Sequence, residues 1–213
     1  MKLFLRICII LSAILLILFI LIHYYKPVTS NSKSTSNSPK NIRKITLLKL
    51  RNEANSIIQK TKGKNFHPSI YFLIDFSLPS GKNRFFVYDY KRKMIIHEGL
   101  VAHGSGNKAF TTKVVFSNTV ESGCSSLGSY KISYQYKGRF GKAYKLIGLD
   151  NSNNNAFKRN VVLHAYDCVP DKEPYPFPIC NSLGCPMVSY NFLEKLDTII
   201  RTSKHPILLH IFQ

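Results

Sequence analysis

From Ser69 onward the chain is written in short apolar or alternating runs: SIYFLIDFSL, FFVYDY, KMIIHEGLVAHG, KVVFSN, YKISYQYKG, NVVLHAYDCV and PILLHIFQ. Such runs, rich in β-branched and aromatic residues, are strand signals, because successive side chains of a strand point to opposite faces of a sheet. Clusters such as PSGKN, GSGNK and DNSNNN fall between them and supply turns. Near the end only SYNFLEKLDTIIRTSK has helical texture. The expected fold is therefore mainly β, a sandwich or open barrel with a few short helices. No internal repeat is visible.

The N-terminal third is different. Lys2 and Arg6 precede an uncharged apolar run from Ile7 to Ile22, which belongs in lipid or a translocon. The run exceeds a signal-peptide core of about 7–15 residues and falls just short of the roughly 20 of a spanning helix, though Leu3 to Leu5 extend it. No small-residue cleavage site directly follows, Val28-Thr29-Ser30 being a weak substitute, so residues 1–26 read as an uncleaved signal anchor, a transmembrane helix with its Lys2 and Arg6 end cytoplasmic. Residues 27–44, Ser- and Asn-rich and basic, read as a flexible stalk. Ile45 to Ile58 spaces its apolar residues as an amphipathic helix leading into a domain at 45–213.

Thirty Lys and Arg against 11 Asp and Glu leave a net charge of +19, more than half of it before Asn65. The excess favours anionic polymers or surfaces. Zinc-ligand spacing, a basic helix with heptads and RNA-recognition aromatics are all missing, which argues against nucleic acid as partner. None of Cys8, Cys124, Cys168, Cys180 and Cys185 falls at C-x-x-C spacing, so neither a structural zinc site nor a dithiol redox pair is supported.

Cys185 lies in CNSLGCP, where Gly184 allows close backbone approach and Pro186 stiffens the chain just after the thiol. A thiol attacks only as thiolate and needs a base or a positive field beside it. His164, ending the apolar run NVVLH, is the candidate base, held by a strand. Papain-like and cell-wall endopeptidase families place cysteine before histidine, so the order His164 then Cys185 argues against them. His97, His205 and His210 read as structural, as does His103 in a tight Gly-rich loop. Asp167, three residues after His164, would point to the other face of a strand. An exported chain meets an oxidising compartment, and Cys168 and Cys180 bracket a loop with four prolines. They are either a disulfide or two reduced surface cysteines.

FLIDFSLPSGKNRFFVYDY, GLVAHGSG, FSN, CSSLGSY, YKGRFGKAYKLIGLD, NVVLHAYDCV and SLGCP, in that order over more than half the chain, resemble the L,D-transpeptidase catalytic-domain family, the YkuD-like proteins, and especially its Gly-Cys-Pro branch. The resemblance implies a mostly β domain open at one end, with Cys185 and His164 as the catalytic pair and Gly184, Ser182 and Asn181 in the substrate and oxyanion region. It implies shaping roles for Ser125, Ser126 and Gly128, and no metal or cofactor. It also implies peptidoglycan stem peptides as donor and acceptor, with the domain in the bacterial periplasm on an inner-membrane anchor. Hydrolysis instead of transfer, or a wall-binding protein of the same fold without turnover, are the alternatives. Two positions depart from the pattern: Asn181 stands where the branch usually has an arginine that holds a substrate carboxylate, and Leu183 where the wider family has a histidine or bulky aromatic. Arg139, Lys142 and Arg159 are the nearby cations that might replace the missing charge.

Overall fold

The computed structural model describes residues 15–17, 19 and 39–213; most of the expected anchor and of the stalk lies outside these. Among the described residues no helix is long and apolar enough to cross a membrane. Pro39–Gln213 forms a compact unit, built as α1 (Pro39–Thr61), β1 (Ile70–Asp75), β2 (Phe85–Asp89), β3 (Met94–Gly99), β4 (Gly128–Gly138), β5 (Gly141–Gly148), β6 (Val162–Ala165), β7 (Met187–Val188), α2 (Tyr190–Thr202) and β8 (Leu208–Phe212).

The strands form one eight-stranded mixed sheet in the order β3-β2-β1-β8-β4-β5-β6-β7. Its pleat sorts the side chains into two cores. Phe72, Ile74, Phe85, Val87, Tyr130, Leu209 and Ile211 face one way, into a cluster with Leu163, Val188 and the α2 residues Phe192, Leu193 and Leu196. Tyr71, Leu73, Phe86, Tyr88 and Leu208 face the other way, onto Leu50, Ala54 and Ile57 of α1. Those three recur at helical spacing, which puts them on one stripe. An ion pair from Lys49 to Asp75 at 2.8 Å and a contact of Glu53 with the neutral His210 ring at 3.6 Å fix the helix to the strands.

The expectation of a sandwich or open barrel resolves into a single sheet whose two edges are drawn together. Just past β3, at one edge, the Ala102 amide donates to the Met187 carbonyl of β7, at the other, 2.8 Å away. Gly104 and Ser182 make a second bridge. The run KVVFSN is not a strand and pairs only through the Phe116–Ser125 bridge. Conversely β5, which the strand reading passed over, is a long strand at the centre of the sheet's second half. The leading helix begins at Pro39 rather than at Ile45.

A buried guanidinium braces this closure. Arg84, 1% exposed, donates through Nε and Nη2 to the Val101 carbonyl, at 2.9 and 2.8 Å, through Nη1 to the Leu78 carbonyl at 3.1 Å, and contacts His103 Nδ1 at 2.9 Å. Burial and the adjacent Arg84 charge hold the His103 imidazole down to about 4, against an opposing hydrogen bond to the Thr111 backbone. His210 is also lowered to about 4, chiefly by burial.

Both rings are thus neutral in the fold but titrate near 6.5 when unfolded. Between these values the unfolded chain binds more protons, so their contribution is intact above pH 6.5 and is lost as pH falls toward 4, by up to about 1.4 kcal/mol per pH unit for each. The denaturant midpoint is expected to fall between pH 7 and pH 5, and His210→Gln to flatten that slope; a midpoint independent of pH in this range contradicts the burial argument.

Candidate functional site

β6 is short, and its β-branched lead-in Val161-Val162 explains why it is extended. Alternation sends Val161, Leu163 and Ala165 into the main core and Val162 and His164 to the other face. In register, His164 stands opposite Ala143 of β5 and Met187 of β7, and Val162 opposite Lys145. Residues directly opposite one another project from the same side of a sheet. Lys145, Val162, His164 and Met187 therefore share one face, and Cys185 lies two residues before Met187.

His164 Nδ1 lies 2.9 Å from the Ala165 carbonyl. A carbonyl only accepts, so Nδ1 carries the proton and Nε2 keeps its lone pair. Phe140, from the β4–β5 turn, stacks on the ring at 4.8 Å and 18°, and Tyr166 meets Phe140 edge-on at 5.5 Å. Burial lowers the His164 titration, partly offset by the bond to Ala165, so the imidazole is a neutral acceptor at pH 7.

Cys185 is half-buried. Burial pushes its thiol above the ordinary range, opposed by the Val162 backbone hydrogen bond and by the charges of Lys145 and Arg159. The thiol hydrogen bond goes to the Asn160 carbonyl, 3.8 Å away, rather than to His164. The backbone brings the two segments together, the His164 amide donating to the Pro186 carbonyl at 3.5 Å, without a hydrogen bond between thiol and imidazole.

Gly184 has φ +114°, and a Cβ there would lie 2.6 Å from the Cys124 carbonyl and 3.2 Å from Arg159 Nη2. Its amide donates to Ser182 Oγ at 3.1 Å, leaving the Cys185 amide as the unused backbone donor among the described residues beside the thiol. Ser182 is buried, and its amide and carbonyl pair with His103 and Ser105, each at 2.8 Å. Asn181 turns away from the thiol: its Oδ1 accepts from the Thr111 amide at 2.8 Å, and its Nδ2 donates to the Thr111 carbonyl at 3.0 Å and lies 3.2 Å from His103 Nε2. Leu183 is 77% exposed.

Of the three cations considered in place of the motif arginine, Lys142 is paired with Glu194 and Asp197, both at 2.9 Å, and Arg139 lies over Phe140 at 5.7 Å. Arg159 reaches the site: it donates to the Ser117 carbonyl at 2.9 Å, to Ser126 Oγ and to the Cys124 carbonyl, so CSSLGSY is held against Gly184 by one side chain. Sequence reasoning missed Lys145. The signal was there in KAYKLIG, where a lysine interrupts the apolar face of an alternating strand.

Cys168 and Cys180 form a disulfide with Cα atoms 6.0 Å apart. Closing a loop of this size contributes about 3 kcal/mol through the unfolded chain. Val169 and Ile179 of that loop pack with Met187, and Cys185 packs against the same cluster, so the bridge steadies the wall behind the thiol.

Gly184→Ala combines a contact well inside van der Waals distance with a backbone conformation that L residues rarely adopt. It is expected to cost more than about 2 kcal/mol and to slow Cys185 alkylation; a variant with wild-type melting and thiol reactivity contradicts the close approach of the Cys124 loop.

Comparison with known proteins gives the context of this geometry. The family model of the L,D-transpeptidase catalytic domain matches residues 41–211. No curated protein matches the chain. Among solved structures it is similar to an L,D-transpeptidase from Xylanimonas cellulosilytica, at 13% identity and TM-score 0.39 over 75% of this chain and 69% of that one. It is also similar to the helical cell shape determining protein Pgp2 from Campylobacter jejuni, at 13% identity and TM-score 0.42 over 73% and 54%. A mutant of the Enterococcus faecium L,D-transpeptidase gives 11% identity and TM-score 0.41 over 68% and 50%. The chain thus spans about half the length of several structures it resembles. With the family model covering most of its length, the chain belongs to the L,D-transpeptidase catalytic-domain family.

Proposed function

We propose that this protein, a member of the family's Gly-Cys-Pro branch, is a cysteine-dependent L,D-transpeptidase that cross-links peptidoglycan through an acyl-enzyme. The observation that carries the reading is that His164 pairs in register with Met187 and bonds the Pro186 carbonyl next to Cys185, with the imidazole locked as the Nε2 acceptor. In the proposed route Nε2 takes the thiol proton. The sulfur lone pair then attacks the carbonyl between the third residue and the terminal D-alanine of a tetrapeptide stem. The resulting oxyanion is met by the Cys185 amide, a type of donor worth roughly 3 kcal/mol in comparable sites.

As the C–N bond breaks, the imidazolium returns its proton to the departing amine, leaving D-alanine and a thioester. An amine of a second stem attacks the thioester and restores the thiol, giving a 3–3 cross-link; water in its place gives a carboxypeptidase. Asn181, whose amide is committed to Thr111, is not the carboxylate clamp in this proposal, and Arg159 is the nearest cation for that task.

The test is digestion of purified tetrapeptide muropeptides with mass analysis of the products. Wild type is expected to release D-alanine, Cys185→Ala to release none while keeping its fold, and His164→Ala to fall by about 10²–10⁴-fold with partial recovery at higher pH, where thiolate forms without its neighbour. Retained turnover in Cys185→Ala assigns the nucleophile elsewhere, and capture of wall fragments without turnover supports a binding protein of the same fold. Localisation is proposed on the apolar run of residues 7–22: the catalytic domain in the periplasm, anchored in the inner membrane. Full-length protein is expected in the membrane fraction and a chain beginning at Lys44 in the soluble one; mature protein beginning near Asn31 would identify a cleaved signal instead.

A further inference from the structure

Lys145 is buried, 6% exposed, on the same sheet face as His164. A buried ammonium is expensive unless an anion or strong acceptors compensate it. Among the described residues no carboxylate pairs with Lys145. Its Nζ donates to Asn160 Oδ1 at 2.9 Å and lies over the Phe157 ring at 4.7 Å. Asn160 is also the residue whose main-chain carbonyl accepts from the Cys185 thiol. One residue thus holds the ammonium by its side chain and the sulfur by its backbone. Arg159, the preceding residue, brings a second cation to Gly184, and its hydrogen bonds run to hydroxyls and carbonyls, with no carboxylate. The group beside these cations that can supply the missing negative charge is Cys185.

We propose that Lys145 is the standing charge partner of the Cys185 thiolate, a positioning residue that stabilises the nucleophile independently of His164. In this step the S–H bond breaks, the electron pair stays on sulfur, the proton passes to His164 Nε2 or to water, and Lys145 keeps its three protons. The mutual effect is consistent in sign: the lysine lowers the thiol against its burial, and the thiolate raises the lysine against its own. The charges acting on the sulfur are those of Lys145 from β5 and Arg159 from the loop before β6, and His164 from β6 is the proton acceptor proposed above. The first two favour thiolate electrostatically, and the third is left to move protons to and from substrate. The inference rests on Cys185 being the nucleophile proposed above, and its test needs no peptidoglycan, so the two stand or fall separately.

The experiment is the pH dependence of iodoacetamide alkylation at Cys185, read by peptide mass analysis, in wild type, Lys145→Met, Lys145→Arg and His164→Ala. Lys145→Met is expected to raise the apparent ionisation by about one pH unit, a roughly tenfold slower alkylation at pH 7. Lys145→Arg should restore most of the rate, and Lys145→Met added to His164→Ala should slow it again by a similar factor. Cys124, the other free thiol among the described residues and buried, reports unfolding of a variant by becoming reactive. Should Lys145→Met unfold, the intact protein answers by NMR: in chain carrying 13C-lysine, capping Cys185 is expected to lower the Lys145 ionisation. An unchanged Lys145→Met profile in folded protein, or a Lys145 titration indifferent to capping, overturns the proposal, as does loss of thiol ionisation in His164→Ala with Lys145→Met unaffected.

Discussion

The bond from the Ala102 amide to the Met187 carbonyl joins the segment leaving one edge of the sheet to the last strand of the other. Without it the chain around Cys185 would be an edge with unsatisfied backbone groups and no reason to hold one conformation. With it, Ser182 can pair with His103 and Ser105, and Met187 can sit in register with His164. Arg84 makes the joint rigid from beneath, because a buried guanidinium reaches several carbonyls at once and is costly to leave unpaired. Asn181 belongs to this joint, bridging His103 and Thr111.

The electrostatics of the site follow from the same closure. Burial disfavours charge on the thiol, on Lys145 and on the His164 imidazole alike, so a charged form becomes stable only as part of a pair. Lysine and thiol are complementary in this respect: when both ionise, each shifts the other back toward its ordinary titration. The imidazole, held by Ala165 and covered by Phe140, stays neutral and keeps its lone pair.

The fold class was legible because alternation of apolar residues is a local property. Strands β1, β2, β3, β4, β6 and β8 and helix α2 all sit within runs that alternate or recur visibly. The exceptions have physical reasons. KVVFSN has strand composition but finds no partner strand, since pairing needs a neighbour and composition cannot supply one. β5 carries Lys142 and Lys145 and reads as polar, yet Lys142 is neutralised by Glu194 and Asp197, and Lys145 donates a hydrogen bond to Asn160. The leading helix reaches back to Pro39 because polar residues continue a helix once its apolar stripe is docked.

The sequence by itself determined the candidate chemistry: a glycine and a proline around Cys185, a strand-borne His164, the order of the two, and the family, through motifs that survive in series. Which cysteines pair was left open, because loop length bounds a bridge but Cα separation decides it; the fold brings Cys168 and Cys180 within 6.0 Å. Only the tertiary structure decided that Asn181 serves the joint, that Arg159 clamps the loop over Gly184, and that Lys145 and Cys185 both bond to Asn160. Each depends on residues far apart in the chain meeting across the sheet, and strand register, which one residue of slip would reverse, is set by the packed core and not by any local pattern.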